Sequence, residues 1–172
     1  PLDDTPTAVS QALIDSLTSR SFSQYPPYIG MLALRKAISA SLGDDYGVSF
    51  DPDQNVIACN GTKEAIFSLP LLFDWSDDAC ILIPSLSYPV YQLSAVYFNA
   101  QYHYLPTTED TGFFPDLTAI SSKQLDNAQM VWINSPNNPT TAIASQDYLN
   151  QWLKLAETHV FLVCSDECYN DL

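Results

Sequence analysis

Four short stretches hold the side chains that could do chemistry, and all four follow apolar runs of strand length. In "DECY", Asp166 and Glu167 come after "VFLVC" and Ser165, with Tyr169 three residues further on. A carboxylate at the end of a buried strand demands a cation or a hydrogen-bond donor; a helix N-cap or a surface ion pair is the plainer use of it. In "SLSYP", Tyr88 stands just past a strand, where an aromatic either stacks on a planar ring or fills the core. In "NSPNNP", Asn137 and Asn138 lie between two prolines. A residue before proline is biased to extended or turn geometry, which would hold the Asn138 amide out of the loop; an ordinary turn is the alternative. In "NGTKEA", Gly61 permits a tight turn, and Thr62 and Lys63 open a helix. Free N–H groups and the dipole at a helix start make an anion site. The glycine and lysine spacing is not that of a P-loop, and a glycine before a helix also has a purely structural use.

The elements around these stretches alternate. "TPTAVSQALIDSLTS" predicts a helix with Val9, Leu13, Ile14 and Leu17 on one stripe, and "GMLALRKAISASLG" a second helix closed by Gly43. "NVIAC" predicts a strand and "GTKEAIFSLPLLF" a helix after it. "ACILIP", "QYHYLP", "AQMVWIN" and "VFLVCSD" predict further strands. "YPVYQLSAVYFNA" and "SQDYLNQWLKLAETH" predict helices between them, with one short helix in addition. Such alternation predicts an α/β fold: a mainly parallel sheet with helices on both faces. The expected division is an N-terminal helical segment, 1–45, followed by the first part of an α/β domain, 46–172. Ligands of such sheets bind beyond the carboxyl ends of the strands, so all four chemical stretches are expected on one edge.

An anion cradle, a stacking aromatic, an amide donor, a carboxylate and a phenol on one edge suit a flat, phosphorylated heteroaromatic ring. The carboxylate would keep a ring nitrogen protonated, and the amide and phenol would hold a ring oxygen. That set describes pyridoxal 5'-phosphate.

In "YPPYIGMLALRKAI", "NGTKEA", "PSLSYPVY", "NSPNNPT" and "SDECY", taken in order, the chain resembles the class I/II aminotransferases of fold type I, with the opening residues Pro1 to Pro6 as the tail of their N-terminal motif. The resemblance covers nearly the whole chain and implies pyridoxal phosphate as cofactor. It implies Gly61, Thr62 and Lys63 at the phosphate and Tyr88 stacked on the ring. Asn138 and Tyr169 would face the ring oxygen, and Asp166 the ring nitrogen. Asp166 and Tyr169 would be the catalytic residues, and Asn138 would also lie near the substrate carboxylate. Tyr25 matches a tyrosine that reaches the phosphate of the neighbouring subunit, which implies a homodimer. The substrates implied are an amino acid and a 2-oxo acid. The local wording is nearest to the succinyldiaminopimelate aminotransferases of lysine and cell-wall synthesis.

Two departures stand out. Thr141 occupies a position where the family usually has glycine, which is costly if the backbone there is left-handed. The family's Schiff-base lysine and substrate-binding arginine lie beyond "DECY", and none of Lys36, Lys63, Lys123 and Lys154 has that context. The chain is therefore expected to be the N-terminal part of an enzyme, inactive alone. Other readings of the same loops are a C–S β-lyase, a non-catalytic cofactor-binding effector domain of a transcription regulator, and a degenerate inactive chain.

Twenty acidic residues against six Lys and Arg give a formal charge of −14, which disfavours nucleic acid and anionic membranes as partners. No apolar run has the length of a membrane span, and a cytoplasmic protein is expected. Cys59, Cys80 and Cys164 lie in apolar runs and Cys168 just past one; free thiols are expected and no metal site. His103 and His159 are expected to be structural, and Glu64 solvated.

Overall fold

The computed structural model describes residues 4–18, 24–76 and 78–170. They form two compact units, 1–59 and 60–172.

In the first unit, helix α1 spans Thr7–Leu17 and α2 spans Leu32–Tyr46. The stripe of Val9, Leu13, Ile14 and Leu17 forms on α1 but is exposed. Helix α2 does not stop at Gly43. It runs on to Gly47, which takes the left-handed conformation at φ 67° and donates its N–H to the Gly43 carbonyl. Glycine adopts that cap without the Cβ penalty, whereas Gly43 is tolerated inside the helix. Arg35 is buried on α2. Its Nε donates to the Gly30 carbonyl at 3.2 Å, and its guanidinium also reaches the Pro52 carbonyl and the Asp53 carboxylate. The expected strand "NVIAC" does not form: Ala58 donates to the Ile29 carbonyl, and no ladder extends from that bond. Ile57 and Cys59 are accordingly exposed.

The second unit is a four-stranded parallel sheet in the order β2-β1-β3-β4. The strands are β1 (Cys80–Pro84), β2 (Gln101–Leu105), β3 (Ala128–Asn134) and β4 (Leu162–Asp166). The helices are α3 (Thr62–Ser68), α4 (Val90–Tyr97), α5 (Ser122–Asn127) and α6 (Gln146–His159). The stretch after Gly61 does not stay α-helical. Leu69–Leu72 tighten into a 3-10 turn, because Pro70 brings no N–H to the ladder.

Central strands β1 and β3 are buried almost throughout, and their alternation feeds two cores. Ile81, Ile83, Met130 and Trp132 pack with Ile66 of α3 and Val90, Tyr91 and Ala95 of α4. Cys80, Leu82, Val131 and Ile133 pack on the opposite face with Leu125 of α5 and Trp152 of α6. Burial on both faces explains why these strands read as continuous apolar runs. Adjacent strands β1 and β3 send the chain in opposite directions, β1 towards β2 and β3 towards β4. The crevice beyond the carboxyl ends of β1 and β3 is where such sheets take ligands.

Candidate functional site

Asp166 is the last residue of β4 and is paired in register with Asn134, the last residue of β3. Both are buried. Asn134 Nδ2 donates to the Asp166 main-chain carbonyl at 2.8 Å, and Asn134 Oδ1 accepts the Asn138 N–H at 2.6 Å. One amide thus ties the end of β4 to the loop after β3. The Asp166 carboxylate accepts the Tyr91 hydroxyl on Oδ2 at 2.6 Å. Tyr91 lies in the first turn of α4, has no exposed surface, and stacks on Trp132 at 4.7 Å and 7°. Burial, reinforced by the Asp166 carboxylate, pushes its hydroxyl far above the usual tyrosine range, so it stays protonated and donates.

The loop after β3 is built by its own amides. Asn137 is buried; its Oδ1 accepts the Thr140 hydroxyl at 2.8 Å and the Thr140 N–H, and its carbonyl accepts the Thr141 N–H at 2.7 Å. The bonds preceding Pro136 and Pro139 are both cis. Thr141 takes φ 60°, the left-handed backbone that its departure from glycine put in question. Asn138 Nδ2 points to the Tyr169 hydroxyl at 3.4 Å. That hydroxyl is itself pushed up in pKa, chiefly by the neighbouring Cys168 thiol, while the Asn138 amide pulls it down.

On the other side, the Tyr88 ring meets Tyr91 edge to face at 6.0 Å, and Lys63 Nζ stands 6.0 Å from the centre of the Tyr88 ring. Lys63 is in the first turn of α3. Gly61 caps that helix at φ 96°, a conformation reserved for glycine, with open space where a Cβ would project. Glu64 is not simply solvated: its Oε2 accepts the Asn60 N–H at 2.6 Å and closes the turn from within. Thr62 opens α3 beside Gly61. Lys63, Tyr88, Tyr91, Asp166, Asn134, Asn138 and Tyr169 therefore form one connected chain of contacts along the carboxyl edge of the sheet.

Three members of this neighbourhood escaped sequence reasoning. Tyr91 follows Tyr88 by three residues, and its N–H donates to the Tyr88 carbonyl at 3.1 Å in the turn that opens α4. Asn134 is a polar residue ending an apolar strand, the same signal that exposed Asp166. Cys168 lies between Asp166 and Tyr169 in sequence; burial and then the Asp166 carboxylate raise its pKa. Glu167 stands apart, accepting from Ser165 and Asn170. Tyr25, in the first unit, is fully exposed. His159 ends α6 and pairs with Asp126 at 2.6 Å, a contact between α5 and α6.

A cavity of about 370 Å³ opens on Asn138, Thr141, Ile143 and Tyr169. A larger one, about 600 Å³, lies between the 111–118 loop and α6 and touches no member of the chain of contacts.

A doubly covered parallel sheet with this polar edge defines an α/β protein of the kind that takes ligands at its strand ends. The family model described as "Aminotransferase class I and II" matches residues 1–172, and the chain belongs to that family. It is 36% identical over 169 residues to an LL-diaminopimelate aminotransferase of Gloeobacter violaceus, covering 98% of this chain and 43% of the relative. The BacF structure from Bacillus subtilis superposes with a TM-score of 0.91 at 28% identity, over 96% of this chain and 42% of that one. A probable N-succinyldiaminopimelate aminotransferase from Thermus thermophilus gives 0.88 at 26% identity, over 96% of this chain and 44% of that one. The chain thus spans less than half the length of the curated relatives it matches.

The cofactor of the family is pyridoxal 5'-phosphate. The donor set fits it: a buried carboxylate for a cationic ring nitrogen, an amide and a phenol together for a ring oxygen, a half-buried aromatic flank, and a lysine with helix N–H groups.

Proposed function

We propose that the full-length protein is a pyridoxal-phosphate-dependent aminotransferase moving an amino group between an amino acid and a 2-oxo acid. The connected chain of contacts from Lys63 through Tyr88 and Tyr91 to Asp166, Asn138 and Tyr169 carries this reading. When bound, the cofactor supplies an electron sink for the carbanion left when the substrate Cα loses its proton. Asp166 holds a proton on the ring nitrogen. Asn138 Nδ2 and the Tyr169 hydroxyl donate to the ring oxygen. Tyr88 covers one face of the ring. Gly61, Thr62 and Lys63 take the phosphate, through backbone N–H groups and the lysine charge.

The relatives' names support a substrate of the diaminopimelate type, in free LL or N-succinyl form, and hence a place in lysine biosynthesis. We read the full-length protein as a cytoplasmic homodimer in which Tyr25 reaches the neighbour's phosphate. No helix among the described residues is long and apolar enough to cross a membrane.

The test is Asp166→Asn in the full-length protein, assayed with LL-diaminopimelate and its N-succinyl derivative against 2-oxoglutarate. Amino transfer should fall roughly 100- to 1,000-fold with the fold intact. An undiminished rate overturns the role of Asp166. Release of pyruvate and ammonia from a cysteine conjugate, without amino transfer, would replace the aminotransferase with a C–S lyase.

A further inference from the structure

We propose that Tyr91 is a positioning residue that fixes the Asp166 carboxylate so that one oxygen is committed to the protein and the other is presented to a cationic ring nitrogen. This rests on the cofactor role of Asp166 proposed above.

The terminal torsion of an aspartate is broad and two-fold, so burial alone does not choose which oxygen faces a ligand. At Asp166 the Tyr91 hydroxyl claims Oδ2 at 2.6 Å, and the Cys168 thiol, a weaker donor, also bonds the carboxylate. A hydrogen bond this short to a carboxylate is of the charge-assisted kind and about twice as strong as a neutral one. The phenol keeps its proton, because burial and the adjacent carboxylate both oppose its ionisation. It therefore acts only as a donor.

Tyr91 is itself held from three sides. Its ring stacks on Trp132 of β3, meets Tyr88 edge to face, and rides on the buried side of α4 with Val90, Ser94 and Ala95. The Asp166 backbone is pinned independently, by pairing to β3 and by the Asn134 amide. With both ends of the residue fixed, the carboxylate has one orientation. The contact between Tyr91 and Tyr88 also places the proposed stacking ring and the proposed charge partner on one support. Sequence gives Tyr91 no role of its own, since a tyrosine on the inner face of a helix is an ordinary core residue.

The experiment compares two ligands on the full-length protein stripped of cofactor. One is pyridoxal 5'-phosphate, and the other its analogue with carbon in place of the ring nitrogen. The ratio of their dissociation constants reports the ring-nitrogen interaction alone. A variant that is only partly folded weakens both ligands equally, so the ratio survives a loss of stability. Wild type should prefer the nitrogen ring, and Asp166→Asn should abolish that preference. Tyr91→Phe, which keeps the stack and removes one oxygen, should cut it about tenfold, the loss expected for one bond to a charged group. In the Asp166→Asn background Tyr91→Phe should change nothing further. Trp132→Phe, which alters the stack and keeps the phenol, should leave the ratio near wild type.

A full preference in Tyr91→Phe overturns the inference while leaving Asp166 in place. An equal loss in Trp132→Phe overturns it too, by assigning the effect to packing. A full preference in Asp166→Asn removes the role of Asp166 and this inference with it.

Discussion

Asn134 and Asp166 end neighbouring parallel strands in register, and the Asn134 side chain holds the Asp166 carbonyl at 2.8 Å with its amide and the Asn138 N–H at 2.6 Å with its oxygen. One buried residue thus sets the relative position of the two groups proposed to hold the ring nitrogen and the ring oxygen. Its removal leaves a buried carbonyl and a partly buried N–H unpaired.

Asn134→Ala should therefore destabilise the full-length protein by about 2–4 kcal/mol, from two lost partners at roughly 1–3 kcal/mol each. Asn134→Leu, which fills the space without bonding, should be about as costly. Chemical denaturation at constant slope measures the change, and cofactor affinity should fall with it. If Asn134→Leu is as stable as wild type, the amide is not what joins the two strand ends.

Thr141 is a β-branched residue at φ 60° in the loop that carries Asn138. Left-handed backbone costs a non-glycine residue about 1–2 kcal/mol, and glycine would return part of that as unfolded-state entropy. Thr141→Gly should raise stability by about 0.5–1 kcal/mol and leave cofactor affinity unchanged. A lower denaturation midpoint in the glycine variant would show that the threonine side chain, not the backbone, dominates there.

The strand ends were legible because each combines a continuous apolar run with an abrupt polar stop. "VFLVCSD" and "AQMVWIN" look this way because β3 is buried on both faces and β4 pairs with it. Asp166, Asn138, Tyr88 and Tyr169 follow from that pattern. The partners that position them did not. Tyr91 and Asn134 act through contacts 75 and 32 residues away in sequence, which no local spacing encodes. "NVIAC" has strand composition, but a strand exists only where a neighbour completes its ladder, and Ala58 finds a single bond to Ile29. Gly43 and Gly47 are chemically the same signal. Only the second lies where the chain turns left-handed.

Glycines 30 and 47 separate two costs that sequence treats as one. Both have positive φ, 87° and 67°. A Cβ at Gly47 meets open space, so Gly47→Ala should cost only the backbone term, about 1 kcal/mol. A Cβ at Gly30 collides with the Ala58 Cβ, and the Gly30 carbonyl also accepts from buried Arg35. Gly30→Ala should therefore cost roughly 2–4 kcal/mol. Equal melting temperatures for the two variants would contradict the close approach at Ala58.

Alkaline pH should destabilise the fold through its buried acids. Burial pushes the Cys80 thiol up to about 11 and the Cys164 thiol up to about 12, from an ordinary value of 9.0. It pushes the Tyr148 hydroxyl up to about 12 from 10.0. In each case the unfolded chain releases a proton that the folded chain keeps. The stabilising contribution is whole below about pH 9 and declines as pH rises through 9 to 12. Melting temperatures should fall across that range, and Cys164→Ala should fall less steeply. An identical pH slope in Cys164→Ala would remove that thiol from the effect.

Cys168 offers a chemical probe of the Asp166 charge. Its thiol is raised in pKa first by burial and then by the neighbouring carboxylate, so near neutral pH it should alkylate more slowly than a free thiol. The nearby negative charge disfavours the thiolate, so removing it has a definite sign. In cofactor-free Asp166→Asn, iodoacetamide should modify Cys168 faster, and the pH at half-maximal rate should move down. Bound cofactor should slow the reaction in wild type by covering the site. Mass spectrometry resolves Cys168 from Cys59, the other exposed thiol. If the rate in Asp166→Asn equals that in wild type, the carboxylate does not reach the thiol, and burial alone sets its reactivity.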